Sequence, residues 1–192
     1  MAALNRRDVV AKLLADRGDD LLVVTGLGQC AYDCFAAGDD PRTFYLWGAM
    51  GGAVPMGMGM AVAQPDKRVL VVTGDGELLM GLGALAAAAT EHLPNFAVAV
   101  IDNERYGETG QQKTATARGS DISGIAAAAG FATTKLVTAE GDVAEGVRLC
   151  REAAGPVLVT FKVDPESQAM AIPPKDGAYL KTRFRQAVVG KI

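Results

Sequence analysis

Arg68-Val69-Leu70-Val71-Val72-Thr73-Gly74-Asp75-Gly76 is the stretch that decides the fold. Its unbroken apolar run is what a strand covered on both faces requires. The Gly-Asp-Gly that closes it carries no bulk against a backbone approach by a phosphate. A second run, Phe96-Ala97-Val98-Ala99-Val100-Ile101, ends in Asp102-Asn103, and Asn103 lies 28 positions after Asp75. Two neighbouring parallel strands place both residues at the carboxyl edge of one sheet, where open α/β folds bind ligands. Asp75 offers a carboxylate oxygen and Asn103 an amide oxygen. These are hard ligands of the kind Mg²⁺ takes, and Mg²⁺ completes its octahedron with water and substrate phosphates. The segment 77–92 reads as a helix whose N-terminus favours an anion. Together these elements point to a Mg²⁺-diphosphate site. The plainer alternative for Asp75 is a helix cap at a strand–helix turn.

Outward from this pair the chain alternates. Residues 5–17 carry helical periodicity at Val9, Val10, Leu13 and Leu14, with Gly18 as a stop. Leu21-Leu22-Val23-Val24 is a short buried strand ending in Thr25-Gly26-Leu27-Gly28. A helix through Tyr32 and Phe35, a strand at 43–46 and a Gly- and Met-rich helix from Gly51 to Gln64 follow. After strand 96–101 comes a loop over 103–120, of a length that is usually functional or disordered. Helix 121–129, strand 133–137, helix 141–154 and strand 156–163 complete the pattern. The expectation is a three-layer α/β/α fold with a mostly parallel central sheet, one domain over residues 1–165. An arm over 166–192, helical near 178–188, then packs on that domain or on a partner.

A chain of 192 residues is one domain by size, and 49 % hydrophobic content supports a sizeable core. A net charge of −3 leaves no electrostatic footprint for nucleic acid. The absence of a long apolar stretch argues against a membrane span, and Met1 to Asp8 lacks the apolar core of a signal peptide. Three cysteines, an odd number, favour a reducing cytoplasm over a disulfide framework. Gly26-Leu27-Gly28 resembles the start of a dinucleotide fingerprint, but residue 31 is alanine and no ribose-binding acid stands at the usual distance. A loop facing a diphosphate is the better reading.

The whole pattern resembles the thiamine-diphosphate-dependent 2-oxo acid decarboxylases, whose mark is GDG, a spacer, then Asn. Phe44 to Gly52 with its Trp-Gly-Ala-Met-Gly turn, Gly57-Met58-Gly59-Met60-Ala61, Pro65 to Val69, Glu77 to Leu85 and Tyr106-Gly107-Glu108-Thr109-Gly110 all follow in order. More narrowly, the chain is similar to the small β subunit of sulfopyruvate decarboxylases and the C-terminal part of phosphonopyruvate decarboxylases. The resemblance implies thiamine diphosphate and Mg²⁺ as cofactors. It implies Asp75, Asn103 and the backbone carbonyl of Arg105 as metal ligands. It implies cofactor contacts along Gly26, Gly28, Gly74, Gly76, Glu77, Tyr106 and Gly107. It places Met50 beneath the cofactor, holding its two rings bent, with the Met50 N–H and the Gly48 carbonyl on the aminopyrimidine. Met50 as plain core is the alternative. Glu77 stands where relatives often have Ser; beside a diphosphate its carboxylate is awkward and is expected to turn away or to meet a partner chain.

The family's chemistry needs a glutamate at N1′ of the aminopyrimidine, carried by a separate pyrimidine-binding domain for which this chain has no room. The resemblance therefore implies half an enzyme: a β subunit in a hetero-oligomer with an α subunit that bears the glutamate. The substrate implied is a small anionic 2-oxo acid carrying a sulfonate or phosphonate. Carboligation, another 2-oxo acid, or a non-catalytic Mg²⁺-diphosphate module are the alternatives. The charges of Glu104, Arg105 and Glu108, and the exposed candidates Lys113 and Arg118, leave the substrate's identity open.

Overall fold

The structure, a computed structural model, describes residues 4–166 and 168–190; Ser167 and the last two positions of the arm lie outside it. In chain order the elements are α1 (Arg6–Leu14), β1 (Leu21–Thr25), α2 (Gln29–Ala36), β2 (Thr43–Tyr45), α3 (Ala53–Ala63), β3 (Arg68–Gly74), α4 (Asp75–Met80), α5 (Ala84–Thr90) and β4 (Phe96–Asp102). There follow β5 (Arg105–Tyr106), β6 (Gln112–Lys113), α6 (Ile122–Ala129), β7 (Thr133–Val137), α7 (Glu140–Glu152), β8 (Val157–Lys162) and α8 (Gly177–Val189). Six strands form one sheet in the order β2-β1-β3-β4-β8-β7, and every pairing in it is parallel. The chain leaves β1 toward β2 on one side and toward β3 on the other, which makes the gap between β1 and β3 a switch point in the sheet.

The strands read as continuous apolar runs because both faces are covered. Val23, Leu70, Val72, Ala97, Val157 and Val159 pack under α1, α2 and α7, through Val9, Leu13, Cys34, Val143 and Cys150. Val24, Val69, Val71, Val98, Val100 and Leu158 pack under α3, α5 and α6, through Val54, Leu85, Ala88, Ile122 and Ala126. This is the three-layer α/β/α arrangement expected.

Two local readings differ from the sequence expectation. The helix predicted over 77–92 starts at Asp75 and is broken into α4 and α5. The reason is tertiary. The backbone at Gly81 lies against the turn that precedes α3, so close that a Cβ on Gly81 would stand 2.3 Å from the Gly51 carbonyl oxygen. Gly81 permits that approach because it has no side chain, and α4 ends there, before α5. The predicted 103–120 loop is also ordered. It holds the antiparallel pair β5–β6, with Arg105 opposite Lys113, and short 3₁₀ turns at Gly107–Thr109 and Thr116–Arg118. The arm folds back on its own domain: Phe184 meets Phe44 edge-on at 5.5 Å, and the Trp47 indole donates to the Pro174 carbonyl at 3.0 Å.

The α3–β3 contact is testable. A Cβ on buried Gly57 would lie 2.2 Å from the Val71 Cγ2, whereas one on exposed Gly59 meets nothing within 4 Å. Gly57→Ala should lower unfolding free energy by about 1–3 kcal/mol through overpacking. Gly59→Ala should raise it by roughly 0.5–1 kcal/mol through helix propensity. Urea unfolding midpoints that move the same way in both variants would contradict this packing.

Candidate functional site

A cavity of about 370 Å³ opens at the carboxyl ends of β1, β3 and β4, at the switch point of the sheet. Its wall brings together Gly28, Met50, Gly74, Asp75, Gly76, Glu77, Asn103, Arg105, Tyr106 and Gly107. Gly26 and Gly48 are not on that wall. The Gly26 N–H donates to Val72 O at 2.8 Å and so prolongs the β1–β3 pairing behind the cavity. Gly48, at φ +70°, begins the turn that carries Met50.

Asp75 is 1 % exposed. Its Oδ2 accepts from the hydroxyls of Thr114 at 2.6 Å and Thr116 at 3.0 Å. The Thr116 hydroxyl also stands 2.9 Å from Asp102 Oδ1, but it has one proton to give. Asp102 is supplied from elsewhere, by the Glu104 N–H at 3.1 Å and the Lys162 ammonium at 2.9 Å. Burial pushes the Asp75 carboxyl up to about 6; Asp102 adds to the rise and the two threonine hydroxyls oppose it. No side chain caps α4, so the capping alternative for Asp75 is not the geometry found. Asn103 is held from both ends: its Nδ2 donates to Gln29 Oε1 at 3.0 Å, and its Oδ1 accepts the Arg105 N–H at 3.0 Å. One lone pair on that oxygen stays free. The Arg105 guanidinium turns back to the Glu104 carbonyl at 3.0 Å.

Glu77 faces the other way from Asp75. Its Oε1 accepts the Ala53 N–H at 3.2 Å, at the start of α3. Burial raises its carboxyl to about 6, against the pull of the backbone amides of 51–53. Its Oε2 is buried without a partner, beside Gly26. Met50 is 39 % exposed on the cavity wall and takes no part in the hydrophobic core. Glu108 lies over Gly28, and with burial it holds the Tyr32 hydroxyl above its usual range.

Residues 26–161 match the thiamine pyrophosphate enzyme family at its C-terminal TPP binding domain. The chain belongs to that family. It is similar to the sulfopyruvate decarboxylase subunit beta of Methanocaldococcus jannaschii, 31 % identical over 95 % of this chain and 96 % of the relative. It is 33 % identical to the phosphonopyruvate decarboxylase of Streptomyces viridochromogenes over 92 % of this chain, but spans only 44 % of that relative. Among solved structures, a chain from Mycobacterium smegmatis described as a thiamin diphosphate-dependent enzyme superposes with a TM-score of 0.74 at 25 % identity, over 86 % of this chain and 32 % of that one.

The cavity suits the cofactor of a thiamine pyrophosphate enzyme. Among the described residues, no three His, Cys, Asp or Glu side chains cluster as metal ligands. One carboxylate, one amide oxygen and a neighbouring carbonyl are the sparse, hard donor set that leaves room for phosphate oxygens on Mg²⁺. Sequence reasoning did not single out Arg6, Gln29, Thr114 and Thr116. The threonines lie in a Thr-rich loop whose approach to Asp75 only the tertiary structure shows. Gln29, at the first position of α2, follows the glycine pair and is the one of the four that the motif's spacing brings close.

Metal binding should feel the raised Asp75. A carboxyl titrating near 6 is mostly protonated at pH 5, and the metal must then displace the proton. Mg²⁺-dependent binding of thiamine diphosphate should therefore weaken about tenfold from pH 7 to pH 5. Titration calorimetry at the two pH values checks this, and equal affinities would mean that Asp75 does not bind the metal.

Proposed function

We infer that this chain is the β subunit of a thiamine-diphosphate-dependent 2-oxo acid decarboxylase using Mg²⁺. The inferred substrate bears a sulfonate or phosphonate, as sulfopyruvate and phosphonopyruvate do. The observation that carries the reading is the meeting of Asp75, Asn103 and Met50 on one cavity at the sheet's switch point. Substrate class is supported by the names of relatives that match over 90 % or more of the chain.

When bound, thiamine diphosphate supplies the electron sink that decarboxylation of a 2-oxo acid requires. The chain's residues hold and shape it. Asp75, Asn103 and the Arg105 carbonyl would hold the metal, with Thr114 and Thr116 fixing the carboxylate. Gly74 and Gly76 let the diphosphate approach the backbone. Met50 would support the rings of the cofactor, and its N–H and the Gly48 carbonyl would meet the aminopyrimidine. Orientation of this kind is worth several kcal/mol in favourable cases.

The acids of the cavity face other groups: Asp75 the threonine hydroxyls, Glu77 the start of α3 through its Oε1, Glu108 the region of Gly28 and Tyr32. The N1′ glutamate is accordingly assigned to a pyrimidine-binding α subunit, in a cytoplasmic hetero-oligomer. The matching relatives named subunit beta, and spanned almost completely by this chain, support that division. Exposed Met80, at 64 %, lies beside Met50 on the same wall and offers apolar surface for a partner.

Asp75→Ala and Asn103→Ala should each abolish Mg²⁺-dependent binding of thiamine diphosphate while leaving the circular dichroism spectrum intact. Unchanged calorimetric affinity in both would remove the basis of the reading. Met50→Ala should lower kcat more than cofactor affinity. A variant that loses only thermal stability would return Met50 to a packing role. The chain alone should release no CO₂ from sulfopyruvate or phosphonopyruvate at enzymic rates, and mixing with the α subunit should restore release. Full activity without that partner would sink the half-site assignment.

A further inference from the structure

The cavity has a buried cation that the sequence motifs do not include. Arg6, the first residue of α1, is 3 % exposed and lines the cavity where α2 begins. Both of its side-chain hydrogen bonds among the described residues use one nitrogen: Nη1 donates to Asp33 Oδ2 and, at 3.4 Å, to the Gln29 carbonyl. Asp33 is shared, because Arg7 Nε donates to its other oxygen at 3.1 Å. One carboxylate thus serves two guanidinium groups, and the cluster keeps a net positive charge. Among the described residues the buried Arg6 Nε has no partner.

A staple between α1 and α2 explains the Asp33 pair. It does not explain the unpaired donor or the surplus charge. Removing a guanidinium N–H from water without an acceptor is unfavourable, and a positively charged group on the cavity wall whose charge Asp33 only half meets favours an anion in the cavity. The position narrows what that acceptor is. Gln29, whose carbonyl Arg6 touches, accepts at its side chain from Asn103 at 3.0 Å, so Arg6 stands one residue from the inferred metal ligand. The N-terminus of α2 points its free N–H groups to the same end of the cavity, which favours an anion there.

We propose that Arg6, on the cavity wall, binds the terminal phosphoryl group of the diphosphate, its guanidinium and the start of α2 meeting the charge that the metal leaves uncompensated. The inference rests on the thiamine-diphosphate reading above. It gives this chain a selectivity for diphosphate over monophosphate that resides in α1, outside the residues matched by the family's domain. A planar fork suits the role, and lysine replaces it only in part.

The test is calorimetric titration of the full chain with Mg²⁺ and each of three probes: thiamine diphosphate, thiamine monophosphate and inorganic pyrophosphate. Arg6→Met should weaken thiamine diphosphate and pyrophosphate by about tenfold or more, the range of a charge-assisted hydrogen bond. Thiamine monophosphate should change little, so the preference for two phosphates collapses. Arg6→Lys should fall between. Arg7→Met breaks the same Asp33 cluster from outside the cavity and should leave the preference intact. Wild-type preference in both Arg6 variants, or its equal loss in Arg7→Met, would show that Arg6 only packs α1 on α2. If Arg6→Met does not fold, Arg6→Lys decides: its preference must still drop severalfold, and retention overturns the proposal. A wild-type chain that binds neither diphosphate probe in the presence of Mg²⁺ would defeat the cofactor reading itself, an outcome distinct from undisturbed binding in the variants.

Discussion

A carboxylate removed from water is costly unless it is hydrogen-bonded or paired, and Asp75 is buried against two hydroxyl donors with its carboxyl pushed up to about 6. Its hydrogen-bond partners are hydroxyls, which soften the penalty of burial without cancelling it, and Asp102 stands behind them as a second negative charge. The arrangement depends on register. β3 and β4 are parallel with Gly74 opposite Ile101, so the turns after the two strands emerge side by side. Thr114 and Thr116 then tie the following loop to the same carboxylate. The loop is ordered by the group it surrounds, which is why residues without helical or strand periodicity take one conformation around the site.

α4 spreads this constraint across the cavity. It is six residues long, and two of them, Asp75 and Glu77, point apart. Asp75 faces the threonines and the inferred metal. Glu77 faces the start of α3, which has no capping side chain of its own. The N–H of Ala53 finds its acceptor in Glu77, while Gly81 at the other end of α4 presses on Gly51. The turn bearing Met50 is therefore clamped by the segment that carries the inferred metal ligand. Rigid positioning of this kind is what a cofactor enzyme's protein contributes.

The sheet and the centre of the site were legible because their signals are local. Apolar runs of strand length, a Gly-Asp-Gly turn and an Asn at the next strand's end need no knowledge of distant contacts. The break at 81–83 was hidden because the alanines of 84–90 continue a helical pattern past two weak helix formers, Gly81 and Gly83, while the approach of Gly51 is a tertiary contact. The β5–β6 hairpin was hidden by its length, two residues on each side, too short for alternation to register. Arg6 was missed for a related reason. Periodicity assigns Val9, Val10 and Leu13 to the core, yet it cannot say that the charged residue one turn earlier reaches the end of another strand's cavity. Trp47 and Pro174, 127 positions apart, likewise meet only in three dimensions.

Met50 and Met80 both line the cavity, and both side chains are unusually exposed for methionine. In the proposed assembly this is where the pyrimidine-binding chain sits. Covering it would remove water from the charges around Asp75 and Arg6, and each of their interactions strengthens as the local dielectric falls. The subunit that delivers the missing glutamate would then also tighten the hold of this chain on the diphosphate. By linkage the effect runs both ways: whatever factor the partner adds to cofactor affinity, the cofactor must add to subunit association. A cofactor shared between two chains thus acts as part of their interface, and the sparse donor set on this chain is what one side of such an interface requires.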